Sequence, residues 1–291
     1  MSTRRLTAGL VLPLALPLAA CGAGKEPAQT GAARPEATSV GQSPESPKSP
    51  EDFLNLAAAA MADESGWTFS VTGSEGLTLQ GQRSAATYRA TVHRGTDPEA
   101  LHAEGVSTSS KGTKKSEEIY VVGGTAYLKE GHAAWKRAPA SDPEMEDKTE
   151  DPVAAVKEFA RYAQAAGGGD VKLTESRGTV ELRVAAGKQK LAAVKDRAWA
   201  KKAQREFDPT AEQLRKAGVP VNEDQLTLSR LEEVLVLDAA TYRVKSHRFE
   251  FGILVPYTGA GDIAYEQDVR EENQGAYAGR IELPAGVDAA H

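Results

Sequence analysis

The sequence predicts an α+β fold in which one block, residues 50–291, combines antiparallel strands with a few helices. Three observations predict it. Period-two alternation recurs, as where Trp67, Phe69 and Val71 are separated by Thr68 and Ser70. Short glycine turns, Gly123-Gly124 and Glu130-Gly131, join strand-like runs into a meander. Two stretches, 153–163 and 188–217, switch to helical spacing. A block of about 240 residues is large for one domain but usual for a curved sheet or barrel. It has no internal repeat.

Taken in order, Ser49 caps a first helix, Pro50 suits its first turn, and Glu51 and Asp52 favour its positive end. The helix runs to about Asp63. Strand signals follow at Trp67–Thr72, Leu77–Leu79 and Tyr88–Val92, then EEIYVV, TAYLK and HAAWKRA. Asp151 and Pro152 start a second helix, whose stripe is Val153, Val156, Phe159 or Ala160, and Ala163, and glycines 167–169 end it. VKL and TVELRV pair around Arg177-Gly178. A third helix is expected from about Lys188 to Phe207, and Asp208-Pro209 restarts a fourth that closes at Gly218. LEEVLVLD, TYRVKSHRFEFG, DIAYEQDVREE and YAGRIEL are the last strands. In TYRVKSHRFEF the apolar phase changes between Val244 and Phe249, which predicts a β-bulge near Ser246–Arg248.

Ahead of this block the chain changes character. Arg4 and Arg5 precede the apolar run Leu6–Ala20, which ends at Cys21, the single cysteine. The run is too short and too interrupted by proline for a permanent membrane span, so residues 1–20 read as a secretory signal. A lone thiol has no disulfide partner in the chain, and no base lies near it in sequence to activate it. The five histidines are scattered, without metal-site spacing. Residues 21–49 are rich in Pro, Ser, Ala and Gly, and read as a disordered tether of roughly 30 Å r.m.s. reach. With 35 basic against 41 acidic side chains the formal charge is −6, which becomes −8 once Arg4 and Arg5 leave with the signal. That balance disfavours nucleic acid as a partner. Lys111, Lys114 and Lys115 form a basic loop tip, read as a solvated turn.

Leu18-Ala19-Ala20-Cys21 resembles the lipobox of bacterial lipoproteins. The resemblance implies lipid attachment at Cys21, cleavage before it, and an extracytoplasmic position on the cell membrane held by acyl chains. The stretches EEIYVVGGTAYLKEGHAAWKRAP, LEEVLVLDAATYRVKSHRFEF and IAYEQDVREENQGAYAGRIELP, in that order, resemble LolA-like lipoproteins of the LppX/LprG type, from high-GC Gram-positive bacteria. The similarity covers most of 50–287. It implies a half-open antiparallel β-barrel covered by helices, with an apolar cavity between them that holds a lipid or lipidated glycan. On that expectation Trp67, Phe69, Leu77, Leu79, Tyr88, Tyr120, Trp135, Val234, Val236, Phe249, Phe251, Ile263 and Tyr265 line the concave face. Trp199 and Phe207 close it from the helix side.

The Lys-, Arg- and Ala-rich stretch KLAAVKDRAWAKKAQREF is also compatible with a surface helix over a filled core, so an envelope-protein partner without lipid is the alternative. The sequence has no G-x-S-x-G, S-x-x-K, H-E-x-x-H or Walker loop. Its carboxylates show no paired acid/base spacing. A monomeric binding protein that uses no cofactor, metal or catalysis is therefore expected.

Overall fold

The computed structural model describes residues 47–142, 145, 151–164, 169–257, 261–285 and 287. The signal, Cys21 and the tether as far as residue 46 lie outside the described residues, as does most of the acidic loop 142–151. Helix α1 (Pro50–Ala62) starts where the sequence places it. The Asp52 N–H donates to Ser49 Oγ at 3.2 Å, and the Ser49 N–H donates back to the Asp52 carboxylate at 3.0 Å. This reciprocal capping box satisfies two amides that the helix cannot pair internally. The helix buries Phe53, Leu54, Ala57 and Met61.

The strands are β1 (Gly66–Leu79), β2 (Gln82–Thr96), β3 (Glu99–Ser109), β4 (Lys114–Val122), β5 (Thr125–Glu130), β6 (Lys136–Pro139), β7 (Lys172–Ser176), β8 (Thr179–Ala186), β9 (Gln189–Lys190), β10 (Thr227–Asp238), β11 (Val244–Tyr257) and β12 (Gly261–Ala276). They form one 12-stranded sheet in the order β6-β5-β4-β3-β2-β1-β12-β11-β10-β8-β7, with β9 added beside β10. Each pairing is antiparallel. The first and last strands pair at the centre, and the edge strands β6 and β7 do not meet. The curved sheet is therefore half-open, as the resemblance implied, and helices α2 (Ala154–Gln164) and α3 (Ala198–Lys216) join α1 in covering its concave face.

Alternating side chains give the sheet two unlike faces. The concave face carries the main core, from Trp67, Phe69 and Val71 on β1 to Phe249, Phe251 and Ile253 on β11. Tyr88 extends that face by lying against Gly105, where a Cβ would come within 2.5 Å of its hydroxyl. An alanine at 105 would displace the ring. On the outer face, ion pairs link neighbouring strands, among them Arg230–Glu250 at 2.7 Å and Arg248–Asp268 at 2.8 Å.

Three sequence expectations change, and one strand carries no sequence signal. LHAEGVSTS, left unassigned, is β3: Leu101 and Ala103 face the core, but the small Gly105 ends the apolar alternation too early to mark a strand. The helix expected from Lys188 begins ten residues later, because Gln189 and Lys190 pair with Leu228 and Thr227 on β10. Tertiary ladder bonds there outweigh helical spacing. Pro209 does not divide the helices, since the stripe Trp199, Ala203, Phe207, Ala211 and Leu214 stays buried through it. YAGRIEL is not a strand; after Ala276 the chain leaves the sheet, and Ile281 and Leu283 pack on the outer face instead. The bulge is present on β11, where pairing skips Lys245 between Val244 and Ser246, one residue before the predicted window.

An interior proline removes one helical hydrogen bond and crowds the preceding carbonyl, at a cost of roughly 3 kcal/mol in an unconstrained helix. Pro209→Ala is expected to raise unfolding free energy by about 1–3 kcal/mol, measured in urea. An unchanged or lower value would show that the helix is already adapted to the ring.

Candidate functional site

The concave floor brings together most of the residues the sequence proposed for it. Trp67, Phe69, Phe249, Phe251, Ile263 and Tyr265 are buried in one cluster, and Leu77, Leu79 and Tyr88 pack against its rim. Trp199 and Phe207 enter from α3. The rings touch in sequence, with centroids 5.1 Å apart for Phe249–Phe251, 5.7 Å for Phe251–Tyr265 and 5.3 Å for Phe207–Tyr265. Phe207 and Phe251 are wholly buried, so floor and roof are in direct contact. Two clefts, of about 450 and 280 Å³, lie elsewhere and are lined mainly by polar residues such as Arg248, Asp268, Glu104 and Glu118.

Four proposed residues lie elsewhere. Val234 and Val236 have the opposite parity to Leu231, Leu235 and Leu237, and it is the leucines that face the core. The sequence was ambiguous here because Glu233 interrupts the leucine face with a charge. Tyr120 alternates with the core residue Ile119 and so falls on the outer face. There it joins Tyr127, Val287 and Trp135 beneath the C-terminal segment.

Glu233 marks a feature the sequence did not reveal. It is 0% exposed, and Glu271 and His247 beside it are 2% and 3% exposed. The three occupy adjacent strands β10, β11 and β12. His247 places Nε2 at 2.9 Å from Glu233 and Nδ1 at 3.0 Å from Glu271. Both acceptors are carboxylates, so both ring nitrogens donate and the imidazole is a cation. Lys202, reaching down from α3, donates to Glu233 at 2.9 Å and to Glu158 of α2. Its ammonium also sits 4.5 Å from the centre of the Phe249 ring. Tyr162 of α2 donates to the other Glu233 oxygen at 2.9 Å, and Arg205 pairs with Glu158 at 3.3 Å. Three carboxylates thus face Lys202, His247 and Arg205.

Electrostatics follow from this enclosure. Burial alone would lower the His247 pKa, but its hydrogen bonds to Glu233 and Glu271 outweigh burial and raise it to about 9. Burial would raise Glu233, yet the Lys202 charge and the His247 hydrogen bond bring it down to about 2. Burial likewise disfavours charged Lys202, but Glu233 and Glu158 hold it above the usual lysine value. Burial first, then the negative charge of Glu233, pushes the Tyr162 phenol up. A general base needs a free nitrogen or carboxylate facing a substrate. Both His247 nitrogens are engaged, and Glu233 accepts from three donors. Chemically the arrangement is a clamp: its charges tie α2 and α3 to three strands.

Fold and site together define a half-open antiparallel barrel roofed by ionically clamped helices. No known sequence family matches the chain, and no curated protein matches it. Among solved structures it is similar to a DUF1329 family protein from Desulfovibrio piger, with 9% identity over 81% of this chain and 96% of that one, and a TM-score of 0.29. It is also similar to the Pseudomonas aeruginosa MucA/MucB complex, with 17% identity over 79% of this chain and a TM-score of 0.26; it spans 58% of that chain. A beta-barrel-like DUF1849 protein from Brucella abortus shows 8% identity over 73% of this chain and 99% of that one, with a TM-score of 0.25. Likenesses this loose carry no functional argument.

His247→Phe leaves Glu233 and Glu271 without their shared cation. Removing one member of a buried ion cluster costs about 3–5 kcal/mol, so urea unfolding near pH 6 should register a loss of that order. The pH dependence has a fixed sign. His247 rises from 6.5 to about 9 on folding, so its contribution is complete below 6.5 and is lost as pH climbs through 9. Glu233 falls from 4.5 to about 2, so its contribution is complete above 4.5 and is lost as pH drops through 2. Unfolding free energy should therefore be greatest between pH 4.5 and 6.5, and His247→Phe should flatten the alkaline limb. An alkaline limb unchanged by the substitution would contradict the assignment.

Proposed function

We propose that this chain is an extracytoplasmic binding protein, tethered to the cell membrane by acyl chains on Cys21, that holds a lipid or other apolar ligand between its sheet and helices α2 and α3. One observation carries the reading: the aromatic floor of Phe249, Phe251 and Tyr265 is roofed by α3 through side chains, not by further strands. Helices can leave such a floor without breaking the ladder, whereas the strands of a closed barrel could not. Each methylene of an acyl chain laid there would contribute about 0.8 kcal/mol. The packed interior is then the closed, unloaded form, and the Lys202–Glu233–Glu158 contacts are the latch that loading releases. The resemblance to LolA-like lipoproteins supports the same reading. The saturated Glu233–His247–Glu271 cluster supports binding without covalent chemistry.

The completeness of that packing favours a second reading, a membrane-tethered module that engages an envelope protein and never opens. Native mass spectrometry of the chain extracted from membranes decides between them. The expected result is an N-terminus at Cys21 bearing acyl chains, and an apolar ligand near one-to-one that exchanges faster in Lys202→Met. Cys21→Ser should release the protein from the membrane. A ligand-free mass that persists on incubation with phospholipid would overturn the carrier and leave the partner-binding module. An unacylated mature chain would overturn the anchor.

A further inference from the structure

The outer face holds a second group of titratable side chains, unconnected with the clamp or the concave floor. His102 and Glu104 lie on β3, and Glu118 lies on β4. Strand register sets Glu104 directly opposite Glu118. Two like charges directly opposed on neighbouring strands repel and destabilise the sheet unless a cation stands between them. His102 supplies the second observation. Its Nε2 is buried yet has no hydrogen-bond partner, although it lies 3.7 Å from Glu118 and 4.0 Å from Glu104. One ligand atom from each residue lies within 4.8 Å of the other two.

We propose that His102, Glu104 and Glu118 form a site for a first-row divalent transition-metal ion, of the class represented by Zn²⁺. One imidazole and two carboxylates suit such an ion. Bond lengths of about 2.0–2.2 Å would bring tetrahedral ligand atoms to roughly 3.3–3.5 Å apart. The present separations, 3.7 and 4.0 Å from His102 Nε2 and at most 4.8 Å among the three ligand atoms, close by up to about 1.5 Å to reach that geometry, and Glu104, whose side chain is 69% exposed, is free to swing inward. The other two ligands are already held. The His102 ring stacks on Tyr120 at 4.2 Å with the planes 14° apart. The same tyrosine donates its hydroxyl to Glu118 at 3.1 Å, as outer partners of metal ligands commonly do. Lys129 stands opposite Glu118 on β5, but its ammonium lies over the Trp135 ring, 5.7 Å from the centroid. A cleft of about 280 Å³, lined by Glu104, Glu118 and Lys129 among others, opens beside the two carboxylates.

The test is calorimetric titration of Zn²⁺ into the purified chain carrying Cys21→Ser, so that the thiol cannot compete. Saturable one-to-one binding is expected, unchanged by His132→Ala, weakened at least tenfold by Glu104→Gln and abolished by His102→Phe. Glu104 is exposed, so its variant folds whatever befalls His102. Thermal melts supply a signature that ordinary surface binding lacks. Without metal, Glu104→Gln should melt at or above the parent temperature, because the repulsion is gone. With Zn²⁺ the parent should rise and the variant should not. No saturable uptake, or equal uptake by the parent and Glu104→Gln, would overturn the site.

Discussion

The contact on which the rest depends is the pair of hydrogen bonds that makes His247 a buried cation between Glu233 and Glu271. An unpaired carboxylate in an apolar interior is among the most costly groups a fold can contain. Once Glu233 and Glu271 point inward, the imidazolium between them and the ammonium of Lys202 become obligatory. Lys202 sits on α3 and Glu158 on α2, so satisfying the strands fixes where both helices lie. Apolar packing alone would tolerate a helix sliding along the floor. Directional charge contacts do not.

Around that clamp the packing follows from sheet geometry. β1 and β12 pair the two ends of the domain at the middle of the sheet, so curvature develops towards both free edges. A sheet left open must cover its concave face with something other than itself. The amphipathic faces of α1, α2 and α3 do so, bringing Phe53, Phe159 and Phe207 onto the floor. Among the described residues no helix covers the outer face of β8 to β12, which is laced instead with ion pairs. At the other end of the sheet the C-terminal segment supplies Ile281, Leu283 and Val287 as a small outer core over Tyr120 and Tyr127.

Much of this architecture was legible in the chain. Ser49-Pro50-Glu51-Asp52 is a complete helix start, the Gly123-Gly124 and Arg177-Gly178 turns locate hairpins, and the odd-parity aromatics of β1 and β11 name their own face. What was hidden has physical causes. Charge on an inward position inverts the simplest reading of a strand, so with Glu233 inward the alternation points to Val234 and Val236 in place of Leu235 and Leu237. Helical spacing over 188–198 carries no information about the ladder bonds that Gln189 and Lys190 make with β10. The clamp draws on residues 158, 162, 202, 233, 247 and 271, each unremarkable in its own segment. The outer trio of His102, Glu104 and Glu118 is likewise assembled by register between two strands, one of which the sequence did not reveal.

The central claim, that a doubly donating imidazolium holds helices to sheet, is tested most directly by heteronuclear NMR of the His247 ring across pH. A buried imidazolium carries protons on both Nδ1 and Nε2 at pH 7, exchanging slowly, and loses one only near pH 9. A neutral ring with a single proton at pH 7, or a midpoint at or below the ordinary 6.5, would contradict it and leave Glu233 and Glu271 without the cation that justifies their burial.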